Sequence, residues 1–500
     1  MLASCKGETC FVRSVLVQDS HGRAQVLIPS GYIVDLDAIY RQFDRDFEGM
    51  PGFQVAELIE KQKLHSLPAI PKWQGMQTFI DSRLLKNNKL WLQSGHEDQV
   101  IELYQADFQS MIDAANVGEI AIEAPELDID PTSDESQIMR SVEHFTQRRI
   151  KQRLDEVLEL PPLPETAQRI IKLRADPNAD ISDLVNIVEI DPSLAAQVVS
   201  WAASPYYSAP GKIKSVHDAI VRVLGFDMVL NLALGLALGK TISGSEMTHE
   251  QITDYWRESA YTAASVEGLV TSISREYRPS FGMAYLAGLL SNFGYLVIAQ
   301  VFPPYFASIN RLCGANPHIS RAILEQHTLG VSGNQISAWL LESWNMPYEV
   351  VTALRQQYNP EFKGPHDVYP KLIYVARQLL AKKGFGHPLG PPLTRELFEE
   401  LHLDSDTAEI TVGNILESGD DLDATSRRHR RTHRQDRSPL RVRRRRVHVD
   451  VAGRSRQRHH AGARPVQVRQ RRRRRLRRAH QQPRVRCVPR VRGQPGAVRG

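Results

Sequence analysis

The spacing of apolar residues divides the chain into regions of different character. Residues 1 to about 120 alternate short β-rich runs, such as FVRSVLVQD and QVLIPSGYIV, with segments of helical spacing such as DLDAIYRQFDR. Ser20-His21-Gly22-Arg23 joins the first two runs, and this composition is typical of a hairpin turn. The pattern predicts a mixed α/β domain over residues 1–120.

The rest of this region gives further predicted elements. MQTFIDSRLL and KLWLQSG are strand candidates, separated by a turn at Lys86-Asn87-Asn88-Lys89. An amphipathic helix is predicted around EDQVIELYQADFQSMI. Residues 121–140 are acidic and contain few large apolar side chains, a composition that indicates a linker.

From residue 141 to 416 the pattern changes to long apolar segments with a period near 3.6, separated by Pro, Gly and Asn. This periodicity predicts an all-α domain. Ser215 precedes VHDAIVRVLG, and Asp218 follows three residues later, which is the spacing of a capping box. We therefore expect an α+β multidomain protein, with the mixed α/β region first and the helical region second.

One helical run, LAGLLSNFGYLVIAQ (286–300), is almost wholly apolar but carries Ser291-Asn292 at its centre. No charged residue occurs between Arg278 and Arg311, which is long enough to span a bilayer. Polar residues interrupt the run and Pro303-Pro304 end it, so a buried core helix is the better interpretation. We expect no membrane contact. The N-terminus also lacks a basic-then-apolar signal pattern, so we expect a cytoplasmic protein.

Charge separates the last region from the rest. Residues 425–500 contain 28 Arg, no Lys, two Asp and no Glu, a net charge of +26. The preceding residues carry 35 basic and 55 acidic side chains, a net charge of −20. Such an acidic body does not suggest a nucleic-acid-binding face. The four cysteines form no CxxC pair, which argues against a zinc site.

The Arg-rich tail lacks Ile, Phe, Tyr, Trp, Met, Lys, Asn and Glu, so it cannot bury a core and is predicted to be disordered. Two hypotheses explain it. A genuine basic arm would bind the phosphates of nucleic acid. Alternatively, Arg without any Lys, together with Ala, Gly, Pro, Val and His, is what out-of-frame reading of a GC-rich gene produces. The abrupt change after ILESGDDLDA favours the second hypothesis.

Several phrases of the helical region together resemble the HDOD domain, a catalytically degenerate relative of the HD-type phosphohydrolases. The phrases are LPPLPETAQRIIKL (160–173), ADISDLVNIVEIDPSLAAQVVSWAASPYYS (179–208), IKSVHDAIVRVLGFDMVLNLALGLAL (213–238), YWRESAYTA (255–263), YLAGLLSNFGYLVIAQ (285–300) and LEQHTLGVSGNQISAWLLESWNMPYEVVTAL (324–354). The resemblance covers roughly residues 150–380 and implies an HD-like helical fold.

The resemblance also indicates where an HD hydrolase would hold its metal. Those positions carry Glu258, Ser291-Asn292 in place of the His-Asp pair, Gly333, Gln357-Tyr358 and Ala376-Arg377. Catalytic divalent metals require imidazole or carboxylate ligands, and a guanidinium repels a cation. We expect no metal and no cofactor. Ser291, Asn292 and Glu258 instead mark a degenerate pocket as candidate binding residues.

Residues about 8 to 115 resemble the YbaK/ProX-type domain, which edits mischarged aminoacyl-tRNA. The phrases FVRSVLVQD, HSLPAIPKWQGMQTFIDSRLL and KLWLQSGHEDQVIELYQADFQSM carry this resemblance. It implies that Arg13 stands at the position of a functional lysine, while Asp81 and Ser94-Gly95 match the family pattern. His65 and Pro71 replace loop glycines, and proline has no N–H to donate to a substrate carbonyl. The domain also begins late relative to that family.

Together these features predict a non-catalytic bacterial regulatory scaffold that acts in signal transduction through protein partners of its HDOD domain. The alternative is an aminoacyl-tRNA deacylase, in which Arg13, Asp81, Ser94 and Gly95 would act on tRNA. A third hypothesis is residual metal phosphodiesterase activity in the helical domain. If the Arg-rich tail is genuine, nucleic acid is a further expected partner.

Overall fold

The structure is a computed structural model. It describes residues 9–96, 99–113, 116–150, 163–203, 207, 211–241, 247–387, 389–417 and 486–489. Within these ranges a mixed α/β region is followed by a largely helical region, so the predicted fold class is confirmed.

The N-terminal region is built on a mixed sheet. Its strands are β1 (Thr9–Asp19), β2 (Gly22–Pro29), β3 (Tyr32–Val34), β4 (Glu48–Gly49), β5 (Gln77–Asp81), β6 (Lys89–Gln93), β7 (Gln99–Tyr104), β8 (Val117–Gly118) and β9 (Ala121–Glu123). The main sheet runs β7-β6-β1-β2-β5-β8, β4 adds to β1, and β3 pairs with β9 in a separate two-stranded sheet. The helices are α1 (Leu36–Phe43), α2 (Gly52–Lys61) and α3 (Gln105–Met111).

The first two strands form the predicted hairpin. β1 and β2 pair antiparallel, with Asp19 opposite Gly22 across the turn. Because strand side chains alternate between faces, Val26 and Ile28 enter the core on one side of the sheet while Leu27 enters the core on the other. The run QVLIPSGYIV is interrupted at Ser30-Gly31, which separates β2 from β3. Helix α1 begins where Asp35 accepts a hydrogen bond from the backbone of Ala38.

The prediction of one amphipathic helix around EDQVIELYQADFQSMI is wrong in its first half. Residues 99–104 form β7, which pairs antiparallel with β6, and only residues 105–111 are helical. Ile101 and Leu103 are buried while their neighbours are not, so this segment has a period of two. An open edge of β6 is available for pairing, and this tertiary contact decides the structure of the segment.

The acidic segment 121–140 contains regular structure. Ala121–Glu123 form β9 against β3, and helix α4 (Asp134–Ile150) begins within the segment. Asp134 is almost fully buried and forms an ion pair with Arg355. Acidic composition indicated a solvated linker, but here a carboxylate has a buried arginine as its partner.

The helical region continues with α5 (Glu165–Arg174), α6 (Ile181–Glu189), α7 (Pro192–Ala202), α8 (Val216–Ala219), α9 (Phe226–Thr241), α10 (His249–Ser272), α11 (Phe281–Leu290), α12 (Phe293–Val301), α13 (Pro303–Ala315), α14 (Arg321–Leu329), α15 (Gly333–Ser343), α16 (Tyr348–Gln356), α17 (Val368–Lys382), α18 (Arg395–Glu400) and α19 (Ser405–Glu417). One continuous apolar core joins them. The side chain of Ser215 accepts from the backbone N–H of Asp218 at the start of α8, so the predicted N-cap is confirmed. The reciprocal bond of a capping box is not formed, because the Asp218 side chain accepts from the Lys214 N–H instead.

The long apolar run is two helices. α11 ends at Leu290, and α12 begins at Phe293, with Ser291 and Asn292 between them. The stretch Phe281–Val301 is long and apolar enough to cross a membrane, and 83% of its most apolar window is buried within the protein. Core helices of globular domains have the same property.

The two regions contact each other through α13, α14 and the segment between them. The Asn316 side chain accepts a hydrogen bond from the Val34 backbone N–H at 2.6 Å and donates to the Val34 carbonyl at 3.4 Å. His318 Nε2 lies 2.9 Å from the Tyr32 carbonyl oxygen. Ala315 packs into the core of the sheet region, and Arg311 binds Asp46. The helical region therefore covers part of one face of the N-terminal sheet.

Most of the Arg-rich tail lies outside the described residues. Arg486–Pro489 are described and form strand β10, which pairs antiparallel with β7 at the edge of the main sheet. At these four residues the structure departs from the expectation of a wholly disordered tail, because pairing with a free strand edge needs backbone groups rather than an apolar core.

Candidate functional site

A cavity of about 300 Å³ lies among α10, α12, α13, α14 and α17. It is lined by Asp254, Tyr255, Glu258, Asn292, Tyr295, Asn310, Cys313, Gly314, Arg321, Tyr358, Arg377, His387 and Leu389. Four of these residues, Glu258, Asn292, Tyr358 and Arg377, stand at the positions where the sequence resemblance placed metal ligands. The fold thus brings residues separated by more than a hundred positions to one cavity.

An ion pair joins two of these four residues, Glu258 and Arg377. Arg377 Nη2 donates to Glu258 Oε1 at 2.9 Å, and Arg377 Nη1 donates to Gln357 Oε1 at 3.1 Å. Gln357 Nε2 in turn donates to the carbonyl oxygen of Ser291 at 3.0 Å. The Arg377 side chain is only 8% exposed, so this chain of contacts is largely shielded from water. It joins α10, α17 and the break between α11 and α12.

The charge state of Glu258 follows from these neighbours. Burial alone raises the pKa of a carboxyl group, but the Arg377 guanidinium opposes this most strongly, followed by His387 and a hydrogen bond from the Asn292 amide. Together they hold the pKa of Glu258 below its ordinary value. The side chain is therefore an anion at neutral pH, and its charge is balanced by Arg377.

Two glycines, Gly288 and Gly294, flank Ser291-Asn292 and lie in close contact with neighbouring helices. A Cβ added to Gly294 would overlap the backbone of Gly333, and one added to Gly288 would lie 2.9 Å from the Cα of Ala263. The two glycines therefore allow α11 and α12 to approach α10 and α15 closely. Ser291 is buried, and its hydroxyl has no hydrogen-bond partner among the described residues.

The residues present do not fit a catalytic divalent metal. Such a metal requires several imidazole or carboxylate ligands, whereas Glu258 already binds a guanidinium. In the part of the chain that the structure describes, no three His, Cys, Asp or Glu side chains are grouped closely enough to hold a metal ion. The sequence contains two His-Asp dipeptides, the residue pair that an HD hydrolase uses to hold its metal. These are His217-Asp218 and His366-Asp367, and neither lines the cavity.

A second arginine, which the sequence analysis did not single out, forms another wall. Arg321 Nε donates to Glu325 Oε1 at 2.7 Å, and Arg321 Nη1 donates to Asn310 Oδ1 at 2.9 Å. Its guanidinium carbon lies 4.4 Å from the centre of the Tyr295 ring. Tyr295 stacks against Tyr255, with ring centres 6.2 Å apart and planes 8° from parallel. The i,i+4 spacing of Arg321 and Glu325 was the sequence signal for this pair.

Burial dominates the acid–base properties of the neighbouring groups. Burial raises the pKa of Tyr295 to about 12, although Arg321 partly opposes the shift. Burial also raises the pKa of the Cys313 thiol to about 11. Both groups are therefore neutral at physiological pH, and this wall of the cavity offers hydrogen-bond donors and aromatic surface instead of a nucleophile.

A second cavity, of about 360 Å³, lies in the N-terminal region and is lined by Phe11, Val12, Arg13, Ser30, His65, Ser66, Gln93, His96, Gln99 and Val100. Arg13 donates to Gln93 Oε1 at 3.2 Å, and Gln93 donates to Ser66 Oγ at 2.7 Å. The Gly95 carbonyl accepts from the backbone N–H groups of His65 and Ser66. Arg13 and the loop at residue 65 are therefore brought together.

Asp81 and Ser94 do not line that cavity. Asp81 is fully buried, pairs with Arg83 at 3.0 Å and accepts a hydrogen bond from the Ile120 backbone. Ser94 Oγ donates to the Gln99 carbonyl and accepts from the His96 N–H. In this arrangement Asp81 supports the edge of the sheet and Ser94 supports a turn.

Comparison with known proteins supports the identity of the helical region. The HDOD domain family matches residues 160–360. A solved structure, a "putative signal transduction protein" from Marinobacter aquaeolei VT8, is 40% identical, covers 85% of this chain and 95% of its own, and superposes with a TM-score of 0.74. A match of that length must include part of the N-terminal sheet region as well as the helices.

More distant similarities have lower identity. An HDOD domain protein of unknown function from Geobacter sulfurreducens is 18% identical over 58% of this chain and 97% of its own, with a TM-score of 0.47. An uncharacterized protein of Treponema pallidum (strain Nichols) is 22% identical over 54% of this chain, and the match spans about half of that relative, 52% of its length. With 40% identity across 95% of the Marinobacter protein and the HDOD match at residues 160–360, the chain belongs to the HDOD-domain proteins.

Proposed function

We propose that this chain is a non-catalytic signal-transduction protein whose helical domain acts by binding protein partners. The observation that carries the proposal is the Glu258–Arg377 ion pair at the position where an HD hydrolase would hold its metal. The description of the Marinobacter relative as a signal transduction protein is consistent with this role. The N-terminal region would then act as a sensing or partner-binding module.

Electrostatics opposes metal chemistry at this position. Two like unit charges 4 Å apart repel by about 4 kcal/mol in a protein environment of effective dielectric constant near 20. A divalent cation beside Arg377 would meet about twice that repulsion, and the carboxylate of Glu258 is already engaged by the guanidinium. Without a bound metal, the hydroxide that attacks a phosphate is not generated at neutral pH.

The catalytic half of the proposal is tested on the purified full-length chain. Hydrolysis of bis(4-nitrophenyl) phosphate is measured with added Mg²⁺, Mn²⁺, Ni²⁺ or Zn²⁺, and bound metal is quantified after dialysis. We expect neither turnover nor stoichiometric metal. Turnover that is lost in Glu258→Gln but kept in Glu165→Gln, an exposed glutamate of another ion pair, would refute the proposal.

The partner-binding half is tested in living cells of the source bacterium. A photo-crosslinking residue is placed at Tyr348 or Ile410, which are 65% and 62% exposed apolar side chains of the helical region. A discrete crosslinked protein is expected at one of these sites. The control position is Arg395, an exposed polar residue on the same region. If both apolar positions crosslink no more than Arg395 does, partner binding at these exposed side chains of α16 and α19 is ruled out.

A second candidate function is hydrolysis of mischarged aminoacyl-tRNA by the N-terminal region. The specific observation in its favour is the cavity that joins Arg13 with His65 and His96. One feature opposes it, because the N–H groups of His65 and Ser66 already donate to Gly95 and are not free for a substrate oxyanion. Release of amino acid from mischarged tRNA, lost in Arg13→Ala and kept in the exposed Arg23→Ala, would establish this activity.

A further inference from the structure

The cavity that contains the Glu258–Arg377 pair has an excess of unused hydrogen-bond donors. Tyr255 is only 4% exposed, and its hydroxyl has no partner at hydrogen-bonding geometry among the described residues, although Ser259 lies nearby. Arg321 Nη2 has no partner within the described part of the chain, and Asn310 Nδ2 has none at hydrogen-bonding geometry there, although Tyr295 lies nearby. All three residues line the cavity. A buried donor without an acceptor is costly, and proteins usually satisfy such groups.

Several acceptors in and beside the cavity are already engaged. Glu258 and Asn310 Oδ1 accept from Arg377 and Arg321, and Glu325, which lies behind Arg321, accepts from Arg321 and from the Gly333 N–H. The carboxylate of Asp254 also lines the cavity. The unpartnered groups of Tyr255, Asn310 and Arg321 can all donate. A ligand that satisfies them must bring acceptor oxygens, and a guanidinium among the donors favours oxygens that share a negative charge.

The same wall offers flat aromatic surface. The rings of Tyr255 and Tyr295 are almost parallel, and the guanidinium carbon of Arg321 lies 4.4 Å from the centre of the Tyr295 ring. Arg321 is itself fixed by Glu325 and Asn310, so its free Nη2 is held in place before any ligand arrives. Preorganised donors beside an aromatic face are typical of sites that bind ring-containing anions. The volume of about 300 Å³ is at the small end of the range for ligand pockets.

We propose that this cavity is a binding site for a small molecule that carries one planar ring and an oxyanion, held by Tyr255, Asn310 and Arg321. The inference rests on the proposed function, because a cavity without catalysis can respond to a ligand without consuming it. Ligand binding would also affect the N-terminal region. Asn310 and Arg321 belong to α13 and α14, and these helices and the segment between them contact the sheet region.

The test uses the full-length protein in the presence of EDTA and titrates it with 4-nitrophenyl phosphate and, separately, with 4-nitrobenzoate, by calorimetry. We expect saturable one-to-one binding of at least one probe, and the stronger one distinguishes a phosphate from a carboxylate ligand. Tyr255→Phe, which removes only the unpartnered hydroxyl, should weaken binding about five-fold. Arg321→Gln should weaken it at least ten-fold.

The matched control is Arg169→Gln, which removes an arginine from another i,i+4 ion pair and should leave binding unchanged. Because Arg321→Gln leaves Glu325 without its arginine and can impair folding, Tyr255→Phe carries the test by itself if the other variant is unfolded. Failure of both probes to bind, or equal binding by Tyr255→Phe and the wild type, overturns the inference. Release of 4-nitrophenolate would instead overturn the proposed lack of catalysis.

Discussion

Single side chains determine the chemistry of the cavity that contains the Glu258–Arg377 pair. Arg377 is the clearest case, because it balances Glu258 and reaches Gln357, which binds the Ser291 carbonyl. A metal site would need the opposite arrangement, with carboxylates and imidazoles free to bind a cation. Arg377 therefore links α10, α17 and the break between α11 and α12 at a position where an HD hydrolase would hold its metal.

The first prediction concerns this pair. Glu258→Gln removes the negative charge but leaves the Arg377 guanidinium largely buried, so the free energy of unfolding should fall by about 2 kcal/mol. Urea unfolding followed by circular dichroism measures the change. Glu165→Gln, in an exposed pair with Arg169, should change it by less than about 0.5 kcal/mol. Equal effects of the two substitutions would contradict the structural role of the buried pair.

A second residue-scale prediction concerns pH. Burial lowers the pKa of His318 to about 4, with a smaller contribution from Arg13, while the hydrogen bond to the Tyr32 carbonyl opposes the shift. Between pH 6.5 and 4 the unfolded chain therefore binds the proton more readily than the folded one. The stability that is present above pH 6.5 should fall as the pH decreases through this window, by up to about 3 kcal/mol.

Urea unfolding at several pH values between 7.5 and 4.5 measures this dependence. His318→Gln should flatten it, because glutamine can still donate to Tyr32 but does not titrate. His217→Gln, at an exposed histidine, is the control and should keep the wild-type slope. An unchanged slope in His318→Gln would contradict the assignment.

At the scale of elements, glycines set how closely the helices pack around the cavity. Gly294 at the start of α12 lies directly against the Gly333 backbone at the start of α15. This contact lies two residues after the break at Ser291-Asn292. A continuous helix would have been the natural prediction from periodicity alone.

Gly294→Ala should therefore destabilise the protein by about 3 kcal/mol, because the added methyl group would overlap backbone atoms that cannot move aside. The matched control is Gly413→Ala in α19, where the added Cβ meets no atom within 4 Å. Removing a flexible glycine from a helix interior should stabilise that variant by about 0.5–1 kcal/mol. Thermal unfolding of both variants distinguishes the two cases by opposite signs.

At the scale of the whole molecule, the segment between α13 and α14 joins the cavity to the N-terminal sheet. Gly314 lines the cavity, and the neighbouring residues Ala315, Asn316 and His318 contact the sheet region. A change at the cavity and a change at the sheet can therefore affect each other through a few residues. This arrangement gives the cavity and the N-terminal sheet a direct physical connection.

Asn316→Ala tests that connection. The substitution leaves the buried Val34 N–H without its acceptor, so the free energy of unfolding should decrease by about 1–3 kcal/mol. Amide hydrogen exchange should rise in β3 while the core of α11 stays protected. Asn359→Ala, at a partly buried asparagine of the helical region whose side chain donates to Gln356, is the control. Unchanged exchange in β3 would show that Asn316 does not hold the two regions together.

Local patterns in the sequence were sufficient for several features. The hairpin at Ser20 to Arg23, the cap at Ser215 and the order of an α/β region before a helical one all depend on residues close together in the chain. The resemblance to HDOD domains also placed Glu258, Asn292 and Arg377 at one site, and the fold brings them to one cavity. Sequence segments that match a known family in the same order indicate which residues share a site, whereas hydrophobic periodicity does not.

The tertiary structure decided the rest. Residues 99–104 became a strand because β6 offered a partner edge, and the apolar run of residues 281–301 is divided into two helices at Ser291-Asn292. Arg321, Tyr255 and Asn310 converge on the cavity from three different helices, so no local pattern could identify them together. The sequence by itself determined most types of element, and it showed which residues stand at the positions where an HD hydrolase would hold its metal. Contacts between residues far apart in the chain determined where the helices stop and which donors remain free for a ligand.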